Sequence, residues 1–465
     1  MQKALADRGS FRDPSGKVFR LGDDIYRTVS KRAQHHYDFV KSTGLTDDLI
    51  NKNRVVGTAE VKPSVLKEAA KGAYKVLQHE RVPFISYPYE WSFPLLKEAA
   101  ILHLDIQIEA LERGVSLSDA SAYNIQFRGV EPVFIDLLSL REYQEGELWF
   151  GHRQFCEQFL NPLLLRSMFG ITHNSWYRGN LEGIETDKFA NLVPWWKNFS
   201  FNVLSHVTLQ ARMQRGAVST SESAMKKAQA KGLSRNGYLH MLMQLRSWIS
   251  KLEPKDTGST VWQDYEQTHT YDSGEEEAKQ RFIAEFCSKV KPEMIFDFGC
   301  NSGEYSEVAL EAGATRAIGF DFDQGALERA FARSKAKGLD LLPLYLDAGN
   351  PSPDQGWNCE ERKSLNGRDK ADALMALAFE HHLAIGRNIP LNRVVGWLTS
   401  FAPTGVVEFV QKSDPTVQQL LMLREDIFDD YDEENFVKSL KDNARIIKKE
   451  KVAATGRTLF WYDRS

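Results

Sequence analysis

From Met294 onward the chain alternates between short apolar runs and stretches with apolar residues every three or four positions. The runs are MIFDFG (294–299), AIGF (317–320), LLPLYL (341–346), ALMALA (373–378) and GVVEFV (405–410). Runs this short and this apolar predict strands buried on both faces. The intervening stretches predict helices over 276–290, 324–337 and 391–401. Such alternation means a parallel sheet covered on both sides, and right-handed crossovers leave few topologies. Two more strands, near 444–449 and 458–461, close the chain. The expectation is α/β: a seven-stranded, doubly wound, Rossmann-like sheet whose last strand is antiparallel.

The first half has a different texture. Val18 to Val29 predicts a hairpin around Gly22-Asp23-Asp24, followed by a polar helix over 31–42. Residues 82–89 read as extended, and Pro94 to Arg113 as a long helix ended by Gly114. Two short strands, 125–128 and 133–135, flank a turn at Gly129, and helices follow over 152–169 and 201–213. Residues 214–236 are small, polar and basic, the composition of a linker. One amphipathic helix, 238–252, and a break at 253–259 come next. The expected organisation is an α+β domain over 1–210, a linker with one helix over 211–260, and the α/β domain over 261–465.

Composition narrows the classes. With 465 residues, 42% hydrophobic and 26% charged, the chain can bury substantial cores. A net charge of −4 exerts no general pull on nucleic acid, and no basic aromatic stripe argues for RNA. No run reaches the length of a membrane span, and Met1 to Ser10 has no apolar leader segment. Cys156, Cys287, Cys300 and Cys359 form no CxxC and show no zinc-ligand spacing, so no metal is expected from them. The expectation is a cytoplasmic protein with free thiols. Its oligomeric state is left open.

Candidate chemistry concentrates where the first apolar run ends. Gly299 and Gly303 in Asp297-Phe298-Gly299-Cys300-Asn301-Ser302-Gly303 allow a sharp turn and close approach of a ligand to the backbone. A helix N-terminus follows. Asp321 ends the second run, at the distance where an acidic side chain grips a ribose diol, and Asp347 ends the third, within reach of an adenine rim. The loop lacks a dinucleotide's third glycine and a phosphate loop's Gly-Lys-Ser/Thr. A ribose grip with little provision for diphosphate suits a nucleoside without pyrophosphate, and S-adenosylmethionine is the common one.

DFGCNSGEYS, GFDFD and YLDAG resemble the successive motifs of class I S-adenosylmethionine-dependent methyltransferases. WQDY with THTYDSGEEE, then ALAFEHHLAIGRNIPL, then VVEFVQKSDPTVQQLL with REDIFDDY, look like the NoeA-like, nodulation-associated branch. FRDPSGKVFR, IYRTV, DASAYNIQFRG and PVFIDLLS look like the N-terminal region of those longer proteins. The resemblance implies that Asp297 and the 299–303 loop face the methionine moiety. It implies that Asp321 takes the ribose hydroxyls, Phe322 flanks the adenine and Asp347 binds its amino group. Ala378 to His381 would line the methyl-transfer side. Cys300 and Asn301 stand where the family often has glycine or alanine.

Methyl transfer needs an in-line nucleophile, and a base only if that nucleophile must shed a proton. Glu380-His381-His382 follows the fourth strand; either histidine, His381 first, can be that base, or the pair can cap backbone and face solvent. Trp262, Tyr265, His269 and Tyr271 suit a cofactor lid or a packed strap. The polar stretch 350–370 with Trp357 suits a functional loop or disorder. The acidic run at 429–434 reads as a solvated helix start. Asp119, Asn124 and Asp136 have the order of the acceptor-positioning Asp and the two magnesium ligands of protein kinases and related phosphotransferases. Leu117-Ser118 replaces the usual His-x, Leu137-Leu138 replaces Phe-Gly, and no VAIK-like lysine is seen; a hydrogen-bonded turn explains the same residues. The expected activity is methylation of a small-molecule or carbohydrate acceptor. The rivals are a bifunctional protein with a kinase-like first domain and a non-catalytic S-adenosylmethionine sensor.

Overall fold

The computed structural model describes residues 3–212, 233–255, 273–422, 424–452 and 456–465. The lid candidates Trp262, Tyr265, His269 and Tyr271, and most of the 214–236 stretch, lie outside the described residues. The chain divides into two compact units. One is Met1–Asp256 with Asp354–Lys363; the other is Thr257–Pro353 with Ser364–Ser465.

The first unit opens with β1 (Leu5–Ala6), β2 (Val18–Leu21) and β3 (Asp24–Val29). Helices α1 (Gln34–Ser42) and α2 (Leu45–Asn51) precede β4 (Thr58–Val61) and β5 (Lys75–His79). These strands form an antiparallel sheet in the order β1-β2-β3-β5-β4. The expected hairpin is β2–β3. No strand covers 82–89, where Pro83 and Pro88 cannot donate to a ladder. Helix α3 (Phe93–Glu112) is buried over most of its length, and Gly114 leaves it at φ +71°. Four short strands follow: β6 (Val115–Leu117), β7 (Ile125–Arg128), β8 (Glu131–Phe134) and β9 (Leu140–Glu142). They pair as β6–β9 and β7–β8. Helix α4 (His152–Phe155) passes through a π-helical turn, Cys156–Leu160, into α5 (Asn161–Phe169).

The helix expected inside a linker, α6 (Arg235–Ser250), packs instead against α3. Its buried Tyr238 hydroxyl accepts from Gln107 Nε2 at 3.0 Å, and Arg246 pairs with Asp105 at 2.7 Å. Its apolar stripe needed a partner, and α3 supplies one. Residues 354–363, from the expected long loop, cluster with this first unit. There Arg362 stacks over Tyr123 at 4.1 Å and Gln355 donates to the Arg178 carbonyl at 3.0 Å.

The second unit begins with α7 (Ser273–Val290) and β10 (Met294–Phe298), then α8 (Glu304–Glu311), β11 (Arg316–Asp321), α9 (Gln324–Lys337) and β12 (Leu341–Tyr345). It continues through β13 (Ala373–Ala376), α10 (Glu380–Ala384), α11 (Leu391–Thr399), β14 (Thr404–Phe409) and α12 (Pro415–Leu421). It ends with α13 (Glu433–Asn443), β15 (Arg445–Lys451) and β16 (Thr458–Asp463). The seven strands lie in the order β12-β11-β10-β13-β14-β16-β15, and β16 runs antiparallel to β14 and β15 on either side of it.

The period of two along each strand divides the core. Ile295, Ala317, Leu341, Met375, Val406 and Leu459 share one cluster with Phe282, Ile283 and Phe286 of α7 and Ala309 of α8. Phe296 and Phe298 point the other way, against Phe401, and Phe298 also meets Trp397 of α11. β10 has β11 on one side and β13 on the other, so the chain's winding reverses there. Ligands of open α/β sheets bind outside the carboxyl ends of the strands at such a reversal.

Candidate cofactor and acceptor site

The proposed cofactor residues lie at or near the carboxyl ends of β10, β11, β12 and β13. Gly299 and Gly303 have φ of +79° and +81°, and Asn301 sits at +46°, a conformation that asparagine tolerates better than most residues. The turn is tied to β11: Gly299 N–H donates to the Phe320 carbonyl at 2.8 Å. A Cβ at Gly303 would lie 2.8 Å from Leu341 Cδ2, and one at Gly299 3.0 Å from Phe379 Cδ2. The unusual Cys300 is accommodated from below. Its Sγ would be 2.8 Å from any Cβ at Gly319, so glycine in β11 makes room for the thiol.

Asp321 links this turn to the next strand. Asn301 N–H donates to its Oδ2 and Asp323 N–H to its Oδ1, each at 2.8 Å. Burial raises its carboxyl pKa, and these backbone donors oppose the shift. Two backbone bonds leave lone pairs on both oxygens for a diol. Asp297 is buried in β10 and accepts from Ser306 Oγ at 2.6 Å. Desolvation pushes its pKa up to about 7. Phe322 is 52% exposed, with its ring 5.9 Å from that of Tyr345. Asp347 accepts from Gly349 N–H at 3.1 Å and lies 3.5 Å from Arg387, a neighbour the sequence gives no reason to expect.

At the end of β13, Ala378 has φ +48° and its N–H donates to Glu408 Oε2 at 2.8 Å. Glu408 belongs to a buried charge cluster that sequence reading missed. Its Oε1 lies 2.9 Å from Lys279 Nζ, which also reaches Glu275 at 2.9 Å. Arg457 pairs with Asp414 at 2.8 Å. Desolvation opposes the ionised form of Glu408, but Lys279 and Arg457 overcome it and hold the pKa low. No spacing could reveal the cluster, because its members come from α7, β14, the turn before α12 and the start of β16.

The two histidines diverge in environment. His381 is fully buried, its Nδ1 3.3 Å from Glu380 Oε2, and its Nε2 meets no partner among the described residues. Glu380 is itself held by Val410 N–H at 3.0 Å and Tyr431 Oη at 2.7 Å. His382 is half-buried, with its ring centroid 4.1 Å from that of His381. Burial and neighbouring positive charge hold its pKa well below the usual imidazole range, so it is neutral near pH 7.

The first unit brings Asp119, Asn124 and Asp136 together as well. Asn124 Nδ2 donates to both Asp119 oxygens, at 3.2 and 3.3 Å. Asp136 Oδ1 pairs with Arg27 at 2.5 Å, and Arg27 also holds Asp13 at 2.6 Å. All three sequence-predicted residues line a cavity of about 790 Å³ with Asp13, Tyr123 and Arg362. Burial, reinforced by the charge of Asp136, raises the Asp119 carboxyl to about 7.

No family model matches the chain. It is 47% identical over 457 residues to the nodulation protein NoeA of Rhizobium meliloti (strain 1021), covering 98% of this chain and 96% of that protein. A shorter stretch is 34% identical over 95 residues to a ribosomal protein L11 methyltransferase of Aeromonas hydrophila, covering 18% of this chain and 32% of that enzyme. Among solved structures, the magnesium protoporphyrin IX methyltransferase ChlM of Synechocystis, with bound S-adenosylmethionine, aligns over 45% of this chain and 87% of its own, at TM-score 0.30 and 14% identity. That score adds nothing to the strand order already described. Near-complete coverage at this identity establishes that the chain belongs to the NoeA family.

Proposed function

We propose that the chain methylates a small-molecule or carbohydrate acceptor, with the cofactor held in the crevice outside the carboxyl ends of β10, β11 and β12. The observation that carries this reading is the Asp321 carboxylate. It stands at the end of β11 with each oxygen fixed by one backbone N–H, beside a turn whose glycines leave no room for a Cβ against Phe379 and Leu341. In this reading Asp321 takes the ribose hydroxyls and Asp347 the adenine amino group, while Phe322 flanks the base. Asp297 and residues 299–303 accommodate the amino-acid end.

S-Adenosylmethionine supplies an electrophilic methyl group on a sulfonium. The protein's part is to orient the acceptor and, for a hydroxyl, to receive its proton. His382 is the more accessible of the pair for that task, being half-buried where His381 is enclosed. The Ala378–Glu408 hydrogen bond fixes the backbone just before this pair. Isothermal titration of the full-length protein with S-adenosylmethionine tests the cofactor reading, and absence of binding ends it. Mass spectrometry of extracts supplied with labelled cofactor tests the acceptor class. Label found only in protein or RNA would exclude a small molecule or carbohydrate.

One observation favours a second activity in the first unit. In protein kinases a cation on the third strand and an Asp after a strand pair converge on the nucleotide phosphates and magnesium. Here Arg27 on β3 meets Asp136, just past β8, within the same cavity as Asp119 and Asn124. Magnesium-dependent ATP binding that is lost in Asp136→Ala supports a phosphotransferase-like unit. A thermal transition indifferent to ATP and magnesium rejects it.

A further inference from the structure

At the helical segment whose Gln154 and Gln158 line the first unit's cavity, the chain turns three other, metal-binding side chains toward one another. His152 opens α4, and Cys156 follows four residues later at the start of the π-helical turn. His206 lies in a second π-helical turn, Leu204–Leu209. His152 Nε2 is 2.9 Å from His206 Nδ1 and 3.6 Å from Cys156 Sγ. All three donor atoms lie within 4.8 Å of one another. Cys156 and His206 are buried and His152 is half-buried. We propose that His152, Cys156 and His206 form a binding site for a zinc-class divalent cation, independent of the methyltransferase and phosphotransfer readings.

Geometry is the first support. Zinc bonds nitrogen at about 2.0–2.1 Å and sulfur at about 2.3 Å, so a tetrahedral site has ligand–ligand edges of about 3.3–3.6 Å. The sulfur–nitrogen edge already has that length, and the nitrogen–nitrogen edge needs only a small opening. A single atom, His152 Nε2, faces both other donors, as it must if the three share one centre.

Chemistry is the second. Two imidazoles and a thiolate form a borderline-soft set that favours zinc over magnesium or calcium. The Cys156 proton must leave when the cation enters, so binding releases one proton to solvent. The third support is rigidity. His206 stacks on Trp248 at 6.3 Å, and the His152 ring lies 5.3 Å from that of Trp149, which limits ring rotation. Gln210, one turn beyond His206, reaches His152 and can supply or support the fourth position. π-Helical turns shift side chains out of the α-helical register and cluster at functional sites; two of these ligands lie in such turns. Helical reading of the sequence missed the set because His206 comes from a distant segment.

The test uses the full-length protein stripped by chelator and titrated with zinc, then with cobalt as a spectroscopic substitute. One equivalent per chain is expected, with a thiolate-to-cobalt charge-transfer band in the near ultraviolet and tetrahedral bands in the visible. Cys156→Ser should abolish the charge-transfer band, and His206→Ala should weaken zinc binding at least about tenfold. Cys359→Ser, which alters an exposed thiol remote in sequence from these ligands, should leave the spectrum unchanged and act as the folding-neutral control. Failure of the wild-type protein to bind zinc at micromolar concentration would overturn the proposal and leave a plain His–His hydrogen bond. So would a charge-transfer band that survives Cys156→Ser, or an equivalent bound through His35, His36 and Glu142 on the surface.

Discussion

The two units weight buried polar chemistry differently, although the first also holds Arg27 between Asp13 and Asp136 and the second also encloses His381. The second unit buries formal charge and pairs it: Lys279 and Arg457 sit among Glu275, Glu408 and Asp414. The first unit buries uncharged imidazoles. Desolvation leads in lowering the pKa of His103 and His206 to about 3, and of His79, His152 and His173 to about 4. A paired charge cluster fails when one partner is removed. A set of neutral buried imidazoles fails when protons become available. The units should therefore break under different insults, and hydrogen exchange resolved by peptide can read each separately.

Acidification is the largest expected effect. The folded pKa of each buried histidine lies below its unfolded value near 6.5, so the unfolded chain takes up more protons and stability falls as pH drops through 6.5 toward about 4. At pH 5 each fully neutral histidine costs about 2 kcal/mol, so the metal-free first unit should lose protection first. Asp297 works in the opposite direction in the second unit. Its folded pKa is raised, so its penalty at neutral pH is relieved as pH falls from about 7 toward 4, offsetting the cost from His382. Equal loss of protection in both units between pH 7 and 5 would erase the contrast.

Removing one charge comes next. Lys279→Ala leaves Glu275 and Glu408 only their longer contacts with Arg457, at 3.6 and 3.9 Å, and should destabilise the second unit by about 3 kcal/mol in denaturant unfolding. The first unit's peptides should keep their protection. Asp321→Ala should weaken S-adenosylmethionine affinity by about 1.5–3 kcal/mol in calorimetry, through loss of charge-assisted bonds. It should leave any ATP response of the first unit untouched. Smallest is Asp432→Ala. Asp432 caps α13 by accepting from Asn435 N–H at 2.7 Å, and losing it should cost about 1 kcal/mol in the second unit alone.

The same contrast governs what could be read in advance. In the second unit, α9 (Gln324–Lys337) falls where the apolar spacing puts it, and the five parallel strands begin within a residue of the apolar runs. Strands buried on both faces cannot hide a polar alternation, and the glycine turn and acidic strand ends follow from that frame. In the first unit β2–β3, α3 and β7–β8 were legible, but β4, β5, β6 and β9 were not. β4 is Thr-Ala-Glu-Val at a sheet edge, half exposed throughout, and a segment that short carries no period. Arg27 escaped notice because an arginine on a strand looks solvated until Asp13 and Asp136 are placed around it.

Sequence alone determined the α/β sheet of the second unit, its glycine turn and the acidic residues at its strand ends, because all of these arise from local period and from residues close to one another along the chain. Tertiary structure decided the rest. The Lys279–Glu408–Arg457 cluster, the docking of α6 on α3, the enclosure of His381 and the convergence of His152, Cys156 and His206 each join segments far apart in the chain. Burial and charge balance at such meetings depend on which surfaces pack, and no one-dimensional pattern records that.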